Sequence, residues 1–167
     1  MGMSEDMEIV KRQERELVLP RLDAKVAWEL GTRLKTIAEE RSLAVVIDIR
    51  RFGQPLFYAA LDGTSPNNVE WVRRKSNVVQ RFHRSSYGVR LGLLLNEQTL
   101  ESADAAPYAD YAEHGGSFPL TVASAGVVGS VTISGLEGRE DHGLAVEGLC
   151  ALLGKDYKAI KLAPAPH

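Results

Sequence analysis

The chain has 167 residues, 44% of them apolar and 25% charged, with a formal net charge of −2 at pH 7. This length suits one domain with a full core and is too short for two domains of ordinary size. The single cysteine, Cys150, excludes an internal disulfide framework and fits a reducing compartment. No apolar run reaches membrane-spanning length, and the polar N-terminus does not resemble a secretory signal, so we expect a cytoplasmic protein without a membrane partner.

The charge is distributed unevenly along the chain. Residues 41–90 hold nine Lys or Arg and three Asp or Glu, a local balance of +6, whereas the segments on either side are acidic. This balance favours a small anionic ligand or an acidic subunit surface. It is too modest to indicate a nucleic-acid-binding protein.

The first part of the chain predicts an arm, a helix and two strands. Residues 1–16 read as a mobile or helical arm with no apolar stripe. Apolar residues then recur at helical spacing over 23–40, with Asp23 as N-cap. Strands follow at 43–51 and 56–61 around a Phe-Gly-Gln-Pro turn, and the second strand is apolar on both faces. Such a strand needs cover on both sides, from the chain's own helices and from a second subunit.

A long basic helix is predicted over 69–87, with His83 on its apolar stripe as a core histidine. Residues 91–113 are helical in pieces. A short helix at 108–114 would begin after Pro107 and end at Gly115.

The stretch from His114 to His142 predicts a β-hairpin. Strands at 118–124 and 127–134 flank a turn at Gly126, and the second strand alternates apolar and hydroxylated residues. A last helix spans 141–153, and the segment 156–167 reads as a loosely held tail. We therefore predict one domain over 17–155, of the α+β class, with helices packed on an antiparallel sheet.

Several long stretches resemble a known family. They are AWELG (27–31), VVIDIRRFGQPLF (45–57), NNVEWVRRKSNVVQRFHRSS (67–86), YAEHGGSFPLTV (111–122) and GVVGSVTISGLEGREDHGLAVEGL (126–149). They are similar to the short cytoplasmic branch of the haem-degrading-domain family, in the superfamily of GlcG and HbpS. The resemblance implies a profilin-like or PAS-like antiparallel sheet flanked by α-helices, assembly into dimers or larger rings, and haem as a candidate cofactor.

The same resemblance points to individual residues. Lys75 and Asp141 match the pattern of the wider superfamily, whereas Arg74, His114 and His142 match motifs of the short branch.

The two histidines that bracket the hairpin have two interpretations each. A neutral imidazole could ligate haem or a metal, or act as a general base. Alternatively, both have structural roles. His114 would lie at the C-terminus of the predicted short helix, where the helix dipole stabilises an imidazolium, and His142 would lie exposed in the first turn of the last helix. No HxH, HxxxH or HExxH spacing indicates a metal site.

The remaining candidates are charged or hydroxylated. Arg50, Arg74 and Lys75 could bind a carboxylate or phosphate, or could form salt bridges between subunits. Asp141 could be an acid or base, or could cap the last helix or interact favourably with its dipole. Ser117 is a candidate ligand contact, although no G-x-S-x-G elbow supports a catalytic triad.

Three functions remain open. The first is a homo-oligomeric module that binds haem or a small anionic metabolite near the hairpin and the basic helix. The second is an enzyme of haem breakdown or small-acid metabolism that uses Asp141 with His114 or His142. The third is a structural or adaptor oligomer without a small-molecule ligand.

Overall fold

The computed structural model describes residues 2–165, and twelve helices and strands lie in this range. In chain order they are α1 (Met3–Glu16), β1 (Val18–Leu19), α2 (Ala24–Glu40), β2 (Val46–Arg51), β3 (Gln54–Ala60), α3 (Pro66–Phe82), α4 (Ser86–Leu95), α5 (Leu100–Asp104), β4 (Ser117–Val122), β5 (Gly126–Ser134), α6 (Gly138–Leu153) and α7 (Tyr157–Ile160). No helix within residues 2–165 is both long and apolar enough to cross a membrane.

The strands form one five-stranded sheet in the order β1-β4-β5-β2-β3. The pairs β2–β3, β2–β5 and β4–β5 are antiparallel, which confirms the predicted α+β fold and both predicted hairpins. The sheet is nevertheless mixed, because β1 pairs with β4 in parallel. A two-residue strand is too short to produce an alternating pattern, and the sequence did not predict it.

One face of the sheet, which we call the apolar face, forms the main core. Its central residues are fully buried beneath α2 and α6: Ile47, Ile49, Phe118, Leu120, Val131 and Ile133. Because consecutive strand residues point to opposite faces, the residues between them form a second face of different chemistry.

This second face, which we call the polar face, lies beneath α3. It buries one carboxylate and four hydroxyl side chains: Asp48, Ser117, Ser130, Thr132 and Ser134. The Ser117 and Thr132 hydroxyl oxygens lie 2.8 Å apart, and Arg50 donates to both carboxylate oxygens of Asp48. Most of these buried polar side chains therefore have a hydrogen-bond partner in the sheet or, for Ser134, in Asn68 of α3.

The predicted long helix 69–87 is two helices. The first ends at Phe82, where His83 adopts the left-handed conformation with a φ of 55°, and the second begins after Ser85, whose side chain caps it. His83 is exposed and stacks on Phe52, so its assignment to the core was wrong.

The first helix, α1, differs from the predicted arm. The segment is helical, which was one of the two alternatives, but it does have an apolar face: Met7 and Val10 are buried beside Tyr87 and Leu91. Gln13 donates to the Ile160 carbonyl at 2.7 Å and so joins α1 to α7 at the start of the predicted tail. Residues 166 and 167 lie outside the described residues.

Candidate functional site

Arginines of α3 hold the loop that follows α5. Arg73 donates to the carboxylate of Asp110 at 3.0 Å and to the Ala109 carbonyl at 2.9 Å. Arg74 donates to the Tyr108 carbonyl, and its guanidinium stacks 4.2 Å from the centre of the Tyr108 ring. These contacts hold the loop along α3. Residues 107–111 close a single hydrogen-bonded turn and residues 111–113 have no regular structure, so the predicted short helix does not form.

The loop brings His114 to the side of α3. The imidazole meets the edge of the Trp71 ring, with the ring centres 5.0 Å apart and the planes 89° to each other. Arg74 lies 4.9 Å from the centre of the same indole. His114 therefore does not lie at a helix C-terminus, because its neighbours are an aromatic ring and the end of a clamped loop.

Two glycines allow this loop to approach α6 closely. A Cβ atom on Gly115 would lie 2.1 Å from the Gly138 carbonyl oxygen. Gly116 has a φ of +136°, and a Cβ there would lie 2.3 Å from the Ile133 carbonyl oxygen and 2.8 Å from Nζ of Lys75. No other residue type fits at these positions without movement of the backbone.

Behind the glycines, Lys75 and Asp141 form a buried ion pair. Nζ of Lys75 donates to Oδ2 of Asp141 at 3.0 Å and to the Ile133 carbonyl at 3.1 Å. Asp141 also accepts from the backbone N–H groups of Gly135 at 3.3 Å and Leu136 at 2.9 Å. The alternative of Asp141 as N-cap is therefore wrong, since Glu137 occupies that position.

Burial dominates the electrostatics of this site. It raises the pKa of Asp141 to about 6 despite the opposing charge of Lys75. Burial likewise lowers the pKa of Lys75, against the opposing effect of Asp141. The pKa of His114 is lowered by partial burial and by the charge of Arg90, so its imidazole is neutral at pH 7.

An open cleft of about 530 Å³ lies over the ion pair, between α3 and the turn from β5 to α6. It is lined by ten residues: Asn68, Trp71, Lys75, His114, Ser134, Gly135, Leu136, Glu137, Gly138 and Asp141. The structure thus brings together three of the predicted site residues, namely Lys75, His114 and Asp141. Arg74 reaches the cleft only through its stacking on Trp71.

The other three candidates lie elsewhere. Arg50 is paired with Asp48, at 2.7 and 2.8 Å, on the polar face. Ser117 is fully buried beneath α3, where its hydroxyl contacts Thr132.

His142 is fully buried, so the expectation that it lies exposed in the first helical turn was wrong. Its Nε2 lies 2.8 Å from Oε1 of Gln13, and its ring contacts Tyr87 and Phe118. Burial, together with the charge of Arg139, lowers the pKa of His142 to about 3, and Nδ1 has no partner within the described chain. The helix α1 covers this histidine and excludes it from the cleft.

Sequence reasoning did not assign Asn68 or Trp71 to this site. Trp71 precedes Lys75 by four positions on α3, so both lie on one helical face, and this spacing was an available signal. Asn68 completes the capping box of α3 with Ser65 and also donates to the hydroxyl of Ser134 at 3.3 Å. Within residues 2–165, no three His, Cys, Asp or Glu side chains lie close enough to hold a metal ion.

Comparisons with known proteins agree with this fold. A family model described as haem degrading protein HbpS-like matches residues 22–150. A UPF0303 protein of Acidobacterium capsulatum is 53% identical over 165 residues, which cover 99% of this chain and 100% of that protein.

Solved structures share the architecture. The crystal structure of the Ybr137w protein aligns with a TM-score of 0.84 and 26% identity, covering 92% of this chain and 93% of that chain. The crystal structure of a PduOC–haem complex aligns with a TM-score of 0.67 and 15% identity, covering 78% of this chain and 94% of that chain. The predicted relationship is confirmed: the chain belongs to the HbpS-like family of haem-degrading proteins.

Proposed function

We propose that the protein binds a small carboxylate in the cleft above Lys75, as a subunit of a homo-oligomer. The observation that carries this proposal is the hydrogen bonding of the buried ammonium group. An ammonium has three donors, and Lys75 donates to two acceptors among residues 2–165, Asp141 and the Ile133 carbonyl. The third donor is available to an anion in the cleft.

The start of α6 supports the same ligand chemistry. The first N–H groups of a helix have no intrahelical partner, and the helix dipole favours an anion beside them. Gly138 opens α6 and lines the cleft together with the hydroxyl-bearing Ser134. A carboxylate placed there would be held by Lys75 from one side and by backbone N–H groups from the other.

Thermal-shift measurements and calorimetry with lactate, pyruvate, succinate and inorganic phosphate test this proposal. We expect at least one carboxylate to raise the unfolding temperature saturably, as ligands of the native state do. Lys75→Met should abolish the effect, whereas Lys35→Met on α2, outside the cleft, should retain it.

A second variant keeps the test decisive if Lys75→Met does not fold. His114→Ala removes one polar contact at the cleft, and we expect binding about tenfold weaker, the equivalent of one hydrogen bond. The proposal is wrong if wild type binds none of the four compounds, or if both variants bind as tightly as wild type.

Haem is the alternative ligand, favoured by the PduOC–haem complex, which has the same fold. His142 is fully buried and cannot ligate it, so His114 is the imidazole available at the cleft. A porphyrin needs a broad apolar slot, whereas only Trp71 and Leu136 of the ten lining residues have large apolar side chains. The cleft residues therefore do not fit a porphyrin.

A haemin titration followed by absorbance separates the two ligands. We expect a broad, non-saturating change that is the same in wild type and in His114→Ala, because haemin would only adhere to apolar surface. A sharp Soret band with simple stoichiometry that is altered in His114→Ala would show that haem, and not a carboxylate, is the ligand of the cleft.

Exposed aromatic residues beside the edge strand β3 support self-association. Tyr58 and Phe52 are nearly half exposed, and Trp28 packs edge-on against Phe57 while more than half of its surface stays open. Because β3 is the outer strand of the sheet, its second edge has no partner strand among residues 2–165. A second copy of the chain would cover both the edge and the aromatic rings.

Light scattering after size exclusion tests the oligomer. Tyr58→Asp should reduce the measured mass, whereas Leu94→Asp, an equally exposed apolar position on α4, should leave it unchanged. A wild-type protein that is monomeric at micromolar concentration would contradict this part of the proposal.

A further inference from the structure

We propose that Lys75 is a nucleophile, and that its amine condenses with the carbonyl group of a small aldehyde or 2-oxo acid to form a covalent imine. The inference rests on the proposed ligand cleft and goes further, because it names the substrate class and assigns a chemical step to Lys75.

The position of the amine is unusual within this chain. Six of the seven lysines are exposed or half-exposed, whereas Lys75 is 3% exposed and lies in the wall of a cleft. The absence of a side chain at Gly116 keeps space open around Nζ, since a Cβ there would come within 2.8 Å of it. A lysine buried beside a ligand cleft is the arrangement that carbonyl-condensing enzymes use.

Asp141 provides the proton transfer that this chemistry needs. Its Oδ2 lies 3.0 Å from Nζ and can accept a proton from the ammonium, which frees the nitrogen lone pair. The lone pair forms the C–N bond, and the carbonyl oxygen takes the proton back and becomes a hydroxyl. The C–O bond then breaks, the oxygen leaves as water with two of the three ammonium protons, and the third proton stays on the C=N nitrogen.

The surroundings favour both stages of this step. Burial lowers the pKa of Lys75 and raises that of Asp141 to about 6, so both shifts favour the neutral amine beside the protonated carboxyl. Nζ also donates to the Ile133 carbonyl, and the other polar side chains that line the cleft are the neutral imidazole of His114, the carboxylate of Glu137, the amide of Asn68 and the hydroxyl of Ser134. The carboxylate of a 2-oxo acid would then lie at the start of α6, where the proposed function places the anion.

Reductive trapping of the full chain tests this inference. Wild-type protein is incubated with pyruvate and sodium cyanoborohydride at pH 7, and modified lysines are located by peptide mass spectrometry. We expect Lys75 to be alkylated several-fold faster than the exposed lysines, because burial lowers its pKa and leaves more of its amine neutral at pH 7. Lactate, which has a hydroxyl where pyruvate has its ketone carbonyl, should protect Lys75 by competition.

Variants identify the reactive groups. Lys75→Arg should remove the fast adduct, Asp141→Asn should slow it, and Lys158→Arg on the exposed α7 should leave it unchanged. Alkylation of Lys75 at or below the rate of Lys158 in wild type would overturn the inference. Calorimetry with lactate, pyruvate and succinate on the same sample distinguishes the two failures. Binding of any of these carboxylates without the adduct refutes only the condensation, and absence of binding for all three counts against the cleft itself.

Discussion

Asp141 and His142 are consecutive residues of α6, both buried, but they face different regions of the molecule. Asp141 points to α3, where it meets Lys75 and a cleft. His142 points to α1, where Gln13 and two aromatic rings enclose it. A helix turns by about 100° per residue, so neighbours in sequence seldom share a site. We call the side of α6 that carries Asp141 the ligand side and the side that carries His142 the packing side.

The two sides also have opposite dependence on pH. The folded-state pKa of Asp141, about 6, lies above its ordinary value of 3.8. The part of its contribution that depends on the protonated carboxyl is therefore full below pH 3.8 and is lost as the pH rises through 6, whereas the contacts of the carboxylate with Lys75 and the backbone remain at pH 7. The pKa of His142, about 3, lies below its ordinary value of 6.5. The stability that its neutral form provides is therefore full above pH 6.5 and is lost as the pH falls towards 3.

The largest effect is expected on the ligand side. Asp141→Ala leaves the Lys75 ammonium buried without its counterion and removes the acceptor of two backbone N–H groups, at Gly135 and Leu136. We expect a loss of about 3–5 kcal/mol in the free energy of unfolding, measured with urea at pH 7. Glu140→Ala, at the exposed neighbouring position, should change it by less than about 0.5 kcal/mol. Equal effects of the two variants would contradict the buried pair.

The glycine beside this pair should come next. Gly116→Ala forces a Cβ against the Ile133 carbonyl and Lys75 at a φ of +136°, and we expect a loss of about 3 kcal/mol from strain and overpacking together. Gly126→Ala is the matched control, because its φ is +81° but nothing lies within 4 Å of the added Cβ. Backbone strain alone should lose about 1 kcal/mol there. If urea unfolding shows the same loss of free energy for Gly116→Ala and Gly126→Ala, the space around Lys75 is not restricted.

On the packing side, His142→Phe keeps an aromatic ring of similar size but leaves Oε1 of Gln13 without its donor. We expect a loss of about 1–2 kcal/mol at pH 7. The difference in the free energy of unfolding between wild type and variant should shrink between pH 7 and pH 5. Over this range wild type loses the contribution of neutral His142, by up to about 1.4 kcal/mol per pH unit, and the variant has no such group. Asp141 titrates in both proteins and cancels from the difference. A difference that is constant with pH would contradict a buried neutral His142.

The sheet could be predicted from sequence because its signals are local. Alternation and turn glycines place both hairpins within a few residues of β2–β3 and β4–β5. The loop at 108–114 shows where local signals fail. Pro107 and Gly115 are good helix boundaries, but the segment forms only one turn. Arg73 and Arg74 of α3 bind the carbonyl groups of Ala109 and Tyr108, and this contact is tertiary.

The site was predictable only in part, for the same reason. The basic charge and the resemblance to the family pointed to Lys75, but the burial of His142 depends on α1, whose apolar face has few residues. Arg50 could have been excluded, because Asp48 lies two residues earlier on the same strand and therefore on the same face. Its charge is used within the sheet and is not available to a ligand.

The smallest change in stability is expected at Arg74, which joins Trp71 of α3 to Tyr108 of the loop. Arg74→Lys keeps the charge but loses the flat stacking over Trp71 and Tyr108, and we expect a loss of about 0.5–1 kcal/mol in urea unfolding. Arg33→Lys on the exposed side of α2 should lose less. Because the clamped loop carries His114, the variant should also weaken carboxylate binding by about two- to threefold, the equivalent of about 0.5 kcal/mol. The pH dependence attributed to His142 should not change. A variant that alters that pH dependence instead would show that the two sides of α6 are coupled.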